Sequence, residues 1–376
     1  MTKHYLDNSA TTRVSEAAAT KAFEIMTKEY ANPSSLHSFG FSAAKELESA
    51  REKVAKTLGA NASEIIFTSG GTEANNLAIL GTVDAMKRRG NKIITTATEH
   101  SSVFDTMLKL QKDGFEVVFI NPDECGNINP AEVINAVDDK TILLSIMLTN
   151  NETGAIYPVK EIFTQTKRRF PQAVLHTDAV QAFGKIEIKV KNLSCDLLTI
   201  SGHKIHAPKG VGALYIRKGV RIIPRAFGGS QEKKLRTGTE SMPLICALGV
   251  ASQEIDTEKS TEIAKELSIY LREKLSSMEG IKINSPEDAS PFVLNFSVLG
   301  IRSETMLHHL AAKGVYVSSG SACSKGAKSH VLSSMGLSDD IIDSAIRVSF
   351  SKHNTLSDCD ALIEGITEGM NTLAKR

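Results

Sequence analysis

The chain has 376 residues, 41% apolar and 23% charged, the make-up of a globular protein with a buried core. Forty-four Lys and Arg against 43 Asp and Glu leave a formal charge of +1, so the balance points neither to nucleic acid nor to an anionic membrane surface. The first residues lack the apolar stretch of a signal peptide, and no run approaches the roughly 20 apolar residues that span a bilayer, so a cytoplasmic location is expected.

From about residue 60 the pattern alternates. Short β-branched runs predict strands at 64–68, 92–96, 116–120, 141–147, 173–177, 197–200 and 212–216. Between many of them lie segments of helical period, such as 74–89 and 101–113. Alternation of this kind predicts an α/β fold with a mostly parallel sheet, and runs apolar on both faces predict helices covering both sides. Beyond about residue 255 the pattern changes to a long amphipathic helix at 257–278, strands at 292–297, 315–318 and 345–349, a helix at 304–313 and a final helix. Thr355-Leu-Ser-Asp358 reads as the capping box that opens this last helix. The expected organisation is a large α/β domain over 13–255 and a smaller α+β domain made of 1–12 and 256–376.

Residues able to do chemistry recur just beyond strand ends, where open α/β sheets bind ligands. Thr68-Ser-Gly-Gly-Thr-Glu73 follows a strand and opens a helix, which makes it either a plain cap or a phosphate cradle with Thr72 adding a hydroxyl. Asp178 ends a buried strand. It is a helix cap, or the partner of a cationic ring nitrogen such as that of pyridoxal phosphate (PLP), which a carboxylate keeps protonated and electron-accepting. Lys204, in Ser201-Gly-His-Lys204, is a surface lysine or one placed to form a Schiff base. The nearby His203 and His206 lack a third ligand for a metal, so none is expected. The five cysteines are scattered, which fits neither a disulfide framework nor a zinc knuckle. Cys323 lies in a small, polar, glycine-containing stretch beside Lys325 and Lys328, surroundings that favour a reactive thiolate.

Taken in order, Gly-Gly-Thr-Glu73, Glu99-His100, Asn150-Asn-Glu152-Thr-Gly, Asp178-x-x-Gln181, Ser-Gly-His-Lys204, Arg236-Thr-Gly-Thr239 and Ser-Ser-Gly-Ser-Ala-Cys323 resemble the NifS/IscS-type cysteine desulfurases, class V PLP enzymes of fold type I. Tyr5-Leu-Asp-Asn-Ser-Ala-Thr-Thr12 and Asn32-Pro-Ser-Ser-Leu-His37 match as well. The resemblance implies that Lys204 carries PLP, that His100 stacks on the ring and assists proton transfer, and that Asp178 binds the ring nitrogen. It places Gln181 on the ring hydroxyl, Asn151 near that hydroxyl or the substrate, and Gly71, Thr72, Ser201 and His203 on the phosphate. Thr239 would reach the phosphate of a partner subunit, which implies a homodimer with shared sites. Arg347, helped by Asn32, would hold the carboxylate of L-cysteine, whose sulfur passes to Cys323 as a persulfide with release of alanine. An acceptor protein, an iron–sulfur scaffold or a thiolation relay, would take the sulfur. A short stretch after Cys323 and an end close behind the last helix lead us to expect a scaffold contact unlike that of relatives with longer segments there. The competing readings are another class V reaction such as transamination, which would not need Cys323, selenocysteine lysis, whose substrate differs little in shape from cysteine, and a non-catalytic sulfur-carrier platform, which would not need Lys204 and Asp178. A dinucleotide-binding oxidoreductase would need a glycine pattern that 68–73 does not supply.

Overall fold

The computed structural model describes residues 2–319 and 328–374. Its strands in chain order are β1 (His4–Tyr5), β2 (Ile65–Thr68), β3 (Lys92–Thr96), β4 (Glu116–Ile120), β5 (Thr141–Ser145), β6 (Val174–Asp178), β7 (Leu197–Ser201), β8 (Gly212–Ile216), β9 (Ile281–Ile283), β10 (Val293–Val298), β11 (Val315–Tyr316) and β12 (Ala345–Ser349). Strands β2 to β8 form one sheet in the order β2-β8-β7-β6-β5-β3-β4. β8 runs antiparallel to β2 and β7, and the other pairings are parallel. The mostly parallel sheet expected from the strand–helix alternation is therefore present.

Every residue of β5, β6, β7 and β8 is buried, so apolar side chains face both sides of these strands, and the polar ones, such as His176, Thr177 and Asp178 of β6, are buried with them. Side chains alternate between two apolar layers. Leu144, Leu175 and Leu198 pack in one, and Leu143, Val174 and Leu197 in the other. The helix Gly71–Met86 contributes to the second layer through Ala74, Leu77 and Ala78. The helix Val159–Arg169 contributes to the first through Ile162 and Phe163.

Some boundaries differ from the sequence pattern. Residues 62–64 form a short 3-10 turn, so β2 starts at Ile65. β5 stops at Ser145, because two residues on the N–H of Met147 binds the Glu99 carboxyl and no longer a strand. Two helices precede the sheet, Glu16–Thr27 and Ser38–Leu58, and both pack on a third, Met242–Gln253. The crossing is close, since a Cβ on Gly249 would lie 2.8 Å from Cα of Ala50.

The C-terminal third builds a separate antiparallel sheet, β12-β10-β9. The N-terminus returns to it: β1 pairs with β11, Asp7 bridges to Ser349, and Leu6 packs with Leu271, Phe296, Ile346 and Leu362. The expected capping box at Thr355 and Asp358 is formed at the start of the helix Leu356–Thr372. Among the described residues no helix is long and apolar enough to cross a membrane.

One close approach ties β8 to the turn before the helix Gly71–Met86. A Cβ on Gly212 would lie 2.6 Å from the Ile200 carbonyl oxygen and 2.8 Å from Gly70 backbone atoms, none of which can rotate away. Gly212→Ala is expected to destabilise the chain by about 1–3 kcal/mol through overpacking. Urea unfolding checks this, and an unchanged midpoint and slope would show that the backbone there gives way freely.

Candidate active site

Because β2, β3, β6 and β7 run in one direction, the segments that leave their carboxyl ends meet at one edge of the sheet. These segments carry Gly70 and Gly71, His100, Asp178, and Ser201 to Lys204. This is the edge where such sheets bind ligands.

Asp178 is 4% exposed, an expensive place for a carboxylate. Its Oδ2 accepts from Asn75 Nδ2 at 2.7 Å and its Oδ1 from the Val180 N–H at 2.8 Å. Both donors are neutral, and neither balances the charge. Asn75 also donates to Ser102 Oγ at 2.9 Å. Ser102 Oγ in turn lies 2.8 Å from His100 Nδ1, which accepts the Ser102 N–H at 3.1 Å. With Nδ1 accepting, the ring proton belongs on Nε2. Burial, with the positive charges of Lys204 and His330 outweighed in part by Asp178, holds the His100 pKa below the ordinary histidine value and favours this neutral form.

The glycine turn lies against Ser201. A Cβ on Gly70 would come within 3.9 Å of Ser201 Oγ, and one on Gly71 within 2.9 Å of a Val180 methyl and 3.6 Å of Ser201 Cβ. Thr72 is exposed at the start of the same helix. His203 follows Ser201, and burial, with the charges of Lys204 and Lys209, pushes its pKa down to about 4. Lys204 is half-buried. Its Nζ donates to the carbonyls of Ser9 and, at 2.9 Å, Ala10. Gln181 Nε2 donates to the same Ser9 carbonyl at 3.0 Å, while its Oε1 accepts from Lys185 Nζ at 2.8 Å.

Arg347, on β12, is 3% exposed. Its Nη2 contacts Asp7 Oδ1 at 2.8 Å and its Nη1 donates to the Asn151 carbonyl at 3.0 Å. Arg347 Nε, Asn151 Oδ1 and His203 Nδ1 are buried without a hydrogen-bond partner among the described residues. Buried polar atoms are almost always satisfied, so these orphans suit a polar ligand. A carboxylate for a ring nitrogen, an amine for a carbonyl carbon and a glycine-lined helix start for a phosphate form the donor set that PLP requires.

Of the residues singled out from the sequence, hydrogen bonds and close packing bring together Gly71, Ser201, Asp178, His100, Gln181, Lys204, Asn151 and Arg347. Asn32 is exposed and its Oδ1 accepts the Ser34 N–H, and Thr239 is exposed, so neither joins this cluster in the single chain. Cys323 lies outside the described residues. Sequence reasoning missed Asn75, Ser102, Asp7, the Ser9 carbonyl and Lys185. The one available signal was Asn75, an asparagine on the largely apolar inner face of the helix 71–86.

The chain matches the aminotransferase class-V family over residues 4–362. It is 42% identical over 369 residues to a cysteine desulfurase IscS of Methanosarcina thermophila, covering 97% of this chain and 91% of that one. It is 42% identical over 363 residues to the putative cysteine desulfurase IscS 1 of Bacillus subtilis (strain 168), covering 94% and 95%. A solved NifS-like protein superposes with a TM-score of 0.94 at 37% identity, covering 99% of this chain and 100% of that one. The structure titled SspA in complex with cysteine gives 0.84 at 33% identity, covering 94% and 100%. The chain belongs to the aminotransferase class-V family and is a PLP-dependent enzyme with the NifS-like fold.

Glu99 yields a test of the site's electrostatics. Its fully buried carboxyl accepts from Thr96 Oγ1 and the Met147 N–H, both at 2.8 Å. Burial, with the Asp178 charge adding to it, pushes its pKa up from 4.5 to about 8. The folded chain then holds a proton that the unfolded chain loses above pH 4.5, so stability falls as pH rises from about 4.5 to about 8. Glu99→Gln removes this loss, which amounts to at most about 1.4 kcal/mol per pH unit. Denaturation of both proteins from pH 5 to 8 should show the variant gaining on wild type as pH rises. Parallel curves would mean that Glu99 is ionised in the fold.

Proposed function

We propose that this chain is a cysteine desulfurase in which Lys204 carries PLP, Asp178 holds a proton on its ring nitrogen, and Cys323 receives sulfur from L-cysteine. The observation that carries it is the placement of the buried Asp178 carboxylate and the Lys204 amine at the ends of adjacent parallel strands, β6 and β7. The desulfurase names of relatives alike over nearly the whole chain favour this reaction over other class V chemistry.

PLP, when bound, supplies a ring that accepts the electrons left behind when the α-proton of an amino acid is removed. The residues do the rest. The N–H groups at the start of the helix 71–86, with Thr72, Ser201 and His203, hold the phosphate. Neutral His100 covers the ring and relays a proton. Gln181 donates to the ring hydroxyl, and Asn151 faces that hydroxyl or the substrate. Arg347 and Asn32 grip the substrate carboxylate. A guanidinium suits this because its fork matches two oxygens. The Lys204 amine takes the α-proton and returns a proton to carbon at the end. The Cys323 thiolate attacks the substrate sulfur. The carbon–sulfur bond breaks, a sulfur–sulfur bond forms, and the former thiol carbon gains a proton, giving alanine and a Cys323 persulfide.

We propose further that the chain works as a homodimer, with Thr239 of each subunit on the phosphate of the other, that it works in the cytoplasm, and that the persulfide passes to an iron–sulfur scaffold or a thiolation relay. We divide it into a large domain over 13–255 and a small one of 1–12 and 256–376. The separate apolar core that joins Leu6 to Phe296 and Leu362 supports this division.

Two measurements test the chemistry. With L-cysteine and a thiol reductant, wild type should release alanine and sulfide in equal amounts and Cys323→Ala neither. Alanine formation by the variant at the wild-type rate would remove Cys323 from the reaction. Arg347→Ala should lower kcat/KM roughly a hundredfold through loss of the charged pair. An unchanged kcat/KM would place the carboxylate elsewhere.

A further inference from the structure

Lys185 has no part in the chemistry described so far, yet it is 5% exposed, a rare position for a lysine. Its Nζ donates to Gln181 Oε1 at 2.8 Å and lies 5.9 Å from the centre of the Phe292 ring. Its carbonyl accepts from Thr261 Oγ1 at 3.1 Å. Lys185 therefore stands where the strand-end edge of the main sheet meets the helix Thr257–Ser276 and the approach to β10.

A glutamine amide has two donor hydrogens and one acceptor oxygen, and its orientation is set by what surrounds it. Around Gln181 every partner points the same way. A charged Lys185 can only offer N–H to Oε1, and a neutral one still has N–H to offer there. The Ser9 carbonyl can only accept, and it takes one N–H of Nε2 at 3.0 Å. The second N–H of Nε2 is then left for a ligand. Without Lys185, Oε1 would be a buried acceptor with nothing to bind, and the amide would lose the contact that fixes its turn.

We propose that Lys185 is a positioning residue for the cofactor: it locks the Gln181 amide so that an N–H, and not the carbonyl oxygen, meets the ring hydroxyl oxygen of PLP. This rests on the placement of Gln181 at that oxygen made above. The locked donor also shares the Ser9 carbonyl with Lys204 Nζ, which ties the amide to the lysine that carries the cofactor.

The test uses the purified holoenzyme. A donor on the ring oxygen alters the colour of bound PLP, which loose packing far from the ring does not do. The absorbance band of bound PLP and the rate at which PLP leaves on dilution are measured for wild type, Lys185→Met, Lys185→Arg, Gln181→Leu and the Lys185→Met/Gln181→Leu double variant. Lys185→Met should displace the band in the same direction as Gln181→Leu and speed PLP loss about tenfold, the size expected for one charge-assisted hydrogen bond. Lys185→Arg, which keeps a donor, should keep the wild-type band. The double variant should match Gln181→Leu alone, since Lys185 acts only through Gln181. Where Lys185→Met yields no holoenzyme, Lys185→Leu, which likewise lacks a donor, is held to the same comparison. A wild-type band in the Lys185 variant beside a displaced one in Gln181→Leu overturns the inference and leaves the Gln181 placement standing. A wild-type band in Gln181→Leu overturns that placement itself.

Discussion

A carboxylate buried at the end of a central strand is the constraint around which this site is arranged. Asp178 is 4% exposed, between parallel neighbours, and its hydrogen bonds come from an amide side chain and a backbone N–H. Such a charge is costly without a cation. In the proposed complex a protonated pyridine nitrogen would supply one, and the same pairing that made the carboxylate tolerable would keep the ring a strong electron acceptor. Under that proposal, cofactor binding and the stability of this corner of the fold would be two aspects of one interaction.

The surroundings keep other charges out of its way. Burial pushes His176, two residues before Asp178 on β6, down to about 3, and His203 down to about 4, so both are neutral near pH 7. Glu99, pushed up to about 8, is largely protonated there. The Lys204 amine is held by backbone carbonyls, and Arg347 is paired with Asp7. A substrate carboxylate that binds Arg347 meets a guanidinium already anchored by Asp7 and the Asn151 carbonyl, so little side-chain freedom is lost on binding.

How much of this was legible in the sequence depended on the range of the interaction. Asp178 and Lys204 stood out because each follows a β-branched run, and the glycines at 70 and 71 because they stand between a strand and a helix. The mostly parallel sheet was legible because short β-branched, apolar-rich runs alternate with segments of helical period. Asp7 and Arg347 are 340 residues apart, and no local pattern announces that they meet. Lys185 reads as one more surface lysine until the chain buries it against Gln181. Asn75 shows only as a polar residue on an apolar helix face. Asn32 and Thr239 entered through family resemblance, and in the single chain both sit on the surface.

The account stands or falls on which amine carries the cofactor. Lys185 is the rival, since burial and the charges of Lys204 and Arg347 push its pKa down to about 7 and make it a competent nucleophile. Borohydride reduction of the holoenzyme, followed by proteolysis and mass spectrometry, fixes PLP permanently to its lysine. The label is expected on the peptide that contains Lys204 and nowhere else. A label on Lys185, or on any other lysine with Lys204 unmodified, would contradict the placement of the cofactor and with it the roles assigned to Asp178, His100 and Gln181.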